Sequence, residues 1–277
     1  MRDNSQRVTA PADPAPQPNP LLDFATPTEL VDLPSQGKFY PADHPLHNQE
    51  TIEIKFMTAR DEDILTSPSL LKKGVALDRL IQNVIVDKSI KLESLLSGDK
   101  AAIMIASRIN GFGEEYKTKV MCPKCEEATE QTFDLSEIEN YYGDDYGEYD
   151  ITITDRGTFI IKTPKTGMAI EVRLLDSKDE NMLVDRIKKN SKKKETVNTG
   201  YMDQMSLMVV SVNGHSEAEF RKVFVENVTA YEARYLRSAY AKVVPGPIME
   251  QAFACSSCGH EEEVDIPMSV NFFWANK

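Results

Sequence analysis

The chain is poor in the residues from which most catalytic and metal sites are built. It has four cysteines, four histidines and one tryptophan in 277 residues. The histidines, His44, His47, His215 and His260, are scattered and suggest no shared site. There is no Gly-rich phosphate loop, no H-E-x-x-H helix and no G-x-S-x-G elbow. These absences favour a non-enzyme, with dispersed catalytic groups as the alternative. Apolar runs are short. None approaches the roughly 18 residues that a membrane-spanning helix needs, and no basic-then-apolar leader opens the chain. Positive charge is also scarce, at 32 Lys and Arg against 44 Asp and Glu, a net −12. That balance disfavours a general nucleic-acid or anionic-membrane binder, which needs a basic surface. With 41% hydrophobic residues the chain can bury one large core or two small ones.

The four cysteines are placed with economy. They form two C-x-x-C pairs, Cys122-Pro-Lys-Cys125 and Cys255-Ser-Ser-Cys258, each between extended-looking runs. A C-x-x-C turn between strands aims both sulfurs at one point. Two such turns facing each other make the four-thiolate cage that Zn²⁺ prefers. The expectation is a split zinc ribbon with Cys122, Cys125, Cys255 and Cys258 as ligands and a structural zinc. Four protein ligands leave no open position for water, so a catalytic zinc is not expected. Iron, redox use, disulfides and bare buried thiols are the competing readings. His260, two residues after Cys258, is an alternative ligand, but an exposed histidine beside the knuckle is the preferred reading. Residues 126–254 separate the two turns, far beyond ordinary zinc-module spacing.

The remainder reads as an α+β protein: small helical bundle regions, short antiparallel strands, and the ribbon closed by a long insertion. Residues 1–28 form a disordered Pro-rich tail with prolines at 11, 14, 16, 18 and 20. Its sharper reading is an arm that orders on a neighbouring subunit. Residues 29–121 hold a turn, a strand and a helical subdomain leading into the first knuckle. Residues 122–135 are the first half of the ribbon, 136–247 an inserted sheet and helical domain, and 248–277 the second half with an aromatic end.

Within the first region, Pro34 and Gly37 mark a tight turn before Phe39 and Tyr40. Residues 51–57 alternate as a strand, and Thr58 with Asp61 spells a capping box. Pro68 restarts a helix and Gly74 stops it. Leu77, Leu80, Ile81, Val84 and Ile85 share a helical face. So do Ala102, Ile103, Ala106 and Ile109, with Asn110-Gly111 as the expected stop. In the insertion, residues 134–142 suggest a short helix and the acidic 143–150 a solvated linker, with no EF-hand pattern. Residues 151–174 suggest three strands. Ser177 with Glu180, Ser216 with Glu219 and Thr229 with Glu232 suggest three helix starts. The second of these helices is expected to bury Phe220, Val223 and Phe224. The stripe from Tyr201 through Met205, Met208 and Val209 to Val212 reads as one helix. A lysine run at 188, 189 and 192–194 reads as a mobile solvated loop. The turn at Phe39-Tyr40 and the end at Phe272-Phe-Trp274 are aromatic anchors, packed internally or against a partner.

Several of these features together resemble a known family. Leu33-Pro-Ser-Gln-Gly-Lys-Phe-Tyr-Pro41, Thr58-Ala-Arg-Asp-Glu-Asp-Ile-Leu65, Leu71-Lys-Lys-Gly74 and Leu95-Leu-Ser-Gly-Asp99, with the paired knuckles and the aromatic end, resemble the T-even-type phage baseplate hub subunit family. The resemblance covers most of residues 29–277. It implies a structural or assembly role in a contractile tail, with other hub or tail proteins as partners; from the charge balance, no nucleic acid or membrane is expected. It places the chain in the virion tail, after assembly in the host cytoplasm. A transient assembly chaperone absent from the finished virion is the alternative.

Overall fold

The computed structural model describes residues 26–192, 200–268 and 270–273, with backbone alone at 189–192, 270 and 271. Residues 1–25, most of the Pro-rich tail, lie outside the described residues, as do Trp274, Lys193 and Lys194. The fold is α+β. The first strand, β1 (Thr28–Asp32), pairs antiparallel with β2 (Thr51–Lys55). It starts inside the span assigned to the tail. Thr58 then opens α1 (Ala59–Thr66), and its N–H and hydroxyl both donate to the Asp61 carboxylate, at 2.9 and 2.7 Å. Pro68 begins α2 (Pro68–Lys73), which ends on left-handed Gly74. The stripe on α3 (Ala76–Val84) is buried at Leu80, Ile81 and Val84.

The longest helix of this half is α4 (Ser97–Phe112). It does not stop at Asn110-Gly111 but runs to Phe112 and ends at Gly113. Gly111 serves packing instead, because a Cβ there would sit 2.8 Å from the Met57 sulfur. Next come the hairpin β3 (Glu115–Met121) and β4 (Ala128–Asp134). The helix expected over 134–142 is only a 3₁₀ turn at Leu135–Glu137 followed by β5 (Asn140–Tyr141). In the acidic stretch the carboxylates are exposed, yet Tyr146 and Tyr149 pack against the core, and Tyr149 meets the Tyr235 ring at 5.0 Å.

A four-stranded antiparallel sheet follows in the order β6 (Ile151–Ile153), β7 (Phe159–Lys162), β8 (Ala169–Val172) and β9 (Val209–Val212). Between β8 and β9 lie α5 (Ser177–Lys192) and α6 (Gly200–Met208). The stripe read as one helix from Tyr201 to Val212 therefore breaks at Met208. Its β-branched end forms β9 and pairs with β8. The start of α5 is also shifted. The reciprocal bonds run between Asp176 and Asp179, at 2.9 and 3.2 Å, while the Ser177 hydroxyl donates to the Leu95 carbonyl.

Helix α7 (Ala218–Asn227) is capped at Glu217, with no side-chain cap from Ser216. It buries Phe224 and Val225 but leaves Phe220 and Val223 exposed, contrary to the expected face. Helix α8 (Ala230–Val243) starts as expected, with Thr229 accepting from the Glu232 N–H. Pro245 precedes β10 (Gly246–Pro247), which pairs with β5, and then come β11 (Glu250–Ala254) and β12 (Glu261–Asp265).

The described residues of both aromatic anchors, Phe39, Tyr40, Phe272 and Phe273, pack in the core. Tyr40 is buried, and Phe39 packs on Phe159 at 5.2 Å. Phe272 and Phe273 are buried against Tyr116 and Phe112. Burying a phenylalanine stabilises by about 1.5–3 kcal/mol. The end is pinned by Arg108, itself buried. Its guanidinium donates to the carbonyls of Phe272, Gly113 and Glu115 at 2.8, 2.7 and 3.0 Å.

Candidate metal centre

The two cysteine turns are near copies of one another. Cys122 directly follows β3, and its N–H donates to the Glu127 carbonyl at 2.9 Å while Glu126 N–H donates back to Cys122 at 2.8 Å. In the second turn Cys255 N–H donates to His260 at 2.8 Å, and Gly259 N–H donates to Cys255 at 2.9 Å. Each turn needs a left-handed residue directly after its second cysteine. The second turn uses Gly259, at φ +68°, and the first uses Glu126, at φ +58°. A non-glycine residue there costs about 1–2 kcal/mol in backbone strain. We expect Glu126→Gly to raise stability by up to about 1 kcal/mol, net of the freedom glycine regains on unfolding. A thermal melt of the metal-loaded variant showing a lower midpoint would contradict this.

The hairpins face each other. Gln131 donates to the Ala254 carbonyl at 2.8 Å, and Gln251 donates to the Asp134 carbonyl at 2.5 Å. Phe253 is buried between them with Cys122 and Cys255, flanked by Val120 and Val264. This packing brings together sulfurs that lie 136 and 130 residues apart in the chain. Cys122 Sγ lies 3.8 Å from Cys258 Sγ, and Cys125 Sγ lies 3.7 Å from Cys255 Sγ. All four fall within 4.8 Å of one another. A tetrahedral site with Zn–S bonds of about 2.3 Å has S···S edges of about 3.8 Å. A disulfide needs about 2.05 Å, and the four cysteines are free. The geometry therefore fits a four-thiolate metal site. His260 stands outside the cluster, with Nε2 3.0 Å from the Glu262 carboxylate. His44 and His47 bond to Ser94 and to the Tyr40 carbonyl.

The thiols are not equivalent. Backbone N–H groups of Cys258 and Ser257 draw Cys255 down to about 7, against the effect of burial. At Cys125 the Glu127 backbone favours the thiolate, but burial and the neighbouring sulfurs outweigh it and push the thiol up to about 12. Four sulfurs this close resist ionising together unless a cation neutralises them. Metal binding supplies that cation and displaces the protons.

Beyond the cysteines, residues 26–274 match the family described as T4 bacteriophage base plate protein. The chain belongs to this family. No curated protein and no solved structure matches it. Membership implies a place in the phage tail among other tail or baseplate proteins. No described helix is long and apolar enough to cross a membrane.

In this baseplate protein the residues that carried the family resemblance meet inside the fold. The Ser35 N–H and hydroxyl donate to Asp99 at 2.9 and 2.6 Å, and the Tyr40 hydroxyl donates to it at 2.8 Å. Tyr40 also accepts from the Leu96 N–H at 3.1 Å. The Leu33–Pro41 turn is thus fastened to the first turn of α4. Gly98, beside Asp99, permits a close approach, since a Cβ there would strike the Pro245 carbonyl. Sequence reading gave Asp99 no buried partner and did not single out Arg108. The signal for Asp99 was present: it shares the stripe of Ala102, Ile103 and Ala106, where a charged residue needs a buried partner. Glu126 was likewise legible by aligning the two turns, where Glu126 takes the place of Gly259.

Proposed function

We propose that this chain is a structural or assembly component of the baseplate hub, working through protein–protein contacts, with one structural zinc held by Cys122, Cys125, Cys255 and Cys258. The observation that carries the zinc reading is the pair of Sγ separations, 3.7 and 3.8 Å, matching the edges of a tetrahedral thiolate cage. The metal's role is mechanical. It fastens the turn after β3 to the turn after β11, holding in one relation two segments that residues 126–254 separate. A long closed loop is where a cross-link restricts the unfolded chain most. A component that must fit neighbours in an assembly gains from such a fixed shape.

The family match supports the tail location, and the resemblance of the Leu33–Pro41 turn and the α4 start supports the hub. Four protein ligands leave no site for substrate or water, so the centre is structural and the protein acts through its surfaces. Quantitative mass spectrometry of purified tails is the test. Stoichiometric copies alongside the hub proteins are expected. Infectious tails formed in the complete absence of this protein would overturn the hub reading.

A further inference from the structure

Strand β1 is paired on one side. Leu33 N–H donates to the Glu50 carbonyl at 2.8 Å, and Phe56 N–H donates to the Pro27 carbonyl at 2.9 Å. These two bonds set the phase of the β1–β2 ladder. Glu29 and Val31, opposite Ile54 and Ile52, turn their backbone groups toward β2. Thr28, Leu30 and Asp32 turn theirs to the other edge, where no described strand pairs with them. Residues 29–32 along this open edge line a groove of about 290 Å³, together with Ile105 and Ile109 of α4, Leu135 and Ile138. Leu30, in the middle of the edge, is 69% exposed.

An open strand edge is a template for an added strand, and native proteins cover it. The described residues begin at Thr26, two positions before β1, and 25 residues of the same chain precede that point. Their sequence suits pairing along one edge. Prolines occupy positions 14, 16, 18 and 20, with Ala15, Gln17, Asn19 and Leu21 after each in turn. Successive N–H groups of a strand point to opposite edges. A strand with proline at every second position therefore lacks donors along one edge and keeps them all along the other.

We propose that residues 19–23 of this chain fold back on β1 as an antiparallel strand and close its open edge. A four-residue turn at 24–27 sets the register. Asn19, Leu21 and Asp23 exchange backbone bonds with Asp32, Leu30 and Thr28. Pro18 and Pro20 then fall on the new outer edge, where their missing N–H groups discourage a further strand. Leu21 lies directly opposite Leu30 and gives that exposed side chain an apolar neighbour. Leu22 and Pro20 share the face on which Val31 is buried. A register shifted by one residue would set Pro18 and Pro20 against β1 with no N–H to offer. The inference stands independently of the metal and of the hub.

Amide hydrogen exchange of the full chain, read residue by residue by NMR, tests it. The Leu30 amide is expected to exchange at least about tenfold more slowly in the full chain than in a chain lacking residues 1–23. Val31, bonded to β2, should be protected in both and so reports that the β1–β2 pair is intact. Leu21→Pro removes the central donor of the added strand and should return Leu30 to the rate of the shortened chain. Pro20→Ala restores a donor on the outer edge only and should leave Leu30 protected. Equal Leu30 rates in the full and shortened chains would overturn the proposal, as would protection that survives Leu21→Pro. Protection that fades on dilution would assign the added strand to a neighbouring copy and overturn it as well.

Discussion

Replacing Cys255 with serine is expected to release the metal and to loosen both hairpins, with the largest loss of stability of any single change in the ribbon. A four-thiolate zinc site delivers about 10–16 kcal/mol of apparent binding energy at neutral pH, and three thiolates retain only part of it. Several kcal/mol should therefore be lost. Cys255 is buried with Phe253 and Cys122, so the serine hydroxyl also enters an apolar contact. Thermal melts with and without a strong chelator separate the two effects. The wild-type midpoint should fall on chelation, and that of Cys255→Ser should be low already and indifferent to chelator. Equal midpoints for wild type and variant would show that the sulfurs hold nothing of consequence. Because the ligands bind as thiolates, the metal should also leave as the pH falls.

Asp99→Ala is expected to cost about 3–5 kcal/mol. The substitution leaves the Ser35 N–H, the Ser35 hydroxyl and the Tyr40 hydroxyl without their buried acceptor. It also frees the Leu33–Pro41 turn from α4. Burial lifts the Asp99 pKa above the ordinary carboxylate value, and the donors from Ser35 and Tyr40 offset only part of that. The native state therefore binds this proton more readily than the unfolded chain. Its contribution is full below the unfolded pKa of about 3.9 and declines as the pH rises through the folded value. The stability gap between wild type and Asp99→Ala should accordingly be wider near the unfolded pKa than at neutrality. Denaturant titrations at the two pH values measure it. A gap that widens toward neutrality would mean that the donors, not burial, set the charge state.

The sequence carried the elements whose signals are local. The stripe on α3, the Thr58–Asp61 and Thr229–Glu232 starts, the Gly74 stop and the two C-x-x-C turns all depend on residues a few positions apart. What it hid depends on distant partners. β1 has no clean alternation, with Leu30 exposed and Val31 buried, and exists because β2 lies beside it. The Val209–Val212 run continued a helical stripe until pairing with β8 decided its period. At α5 two capping patterns one residue apart competed, and Asp176 with Asp179 prevailed while the Ser177 hydroxyl went to Leu95. Burial of Phe272 and Phe273 followed from Arg108 and Tyr116, more than a hundred residues earlier in the chain. For the candidate metal centre, the spacing singled out the four cysteines. Only the fold could show that they converge and that Glu126 carries the left-handed position.

The most direct test is the metal content of the protein purified without chelator. Elemental analysis should find one zinc per chain in the wild type and a clear deficit in Cys255→Ser. A wild-type chain that carries neither zinc nor iron, yet folds with all four thiols reduced, would contradict the account.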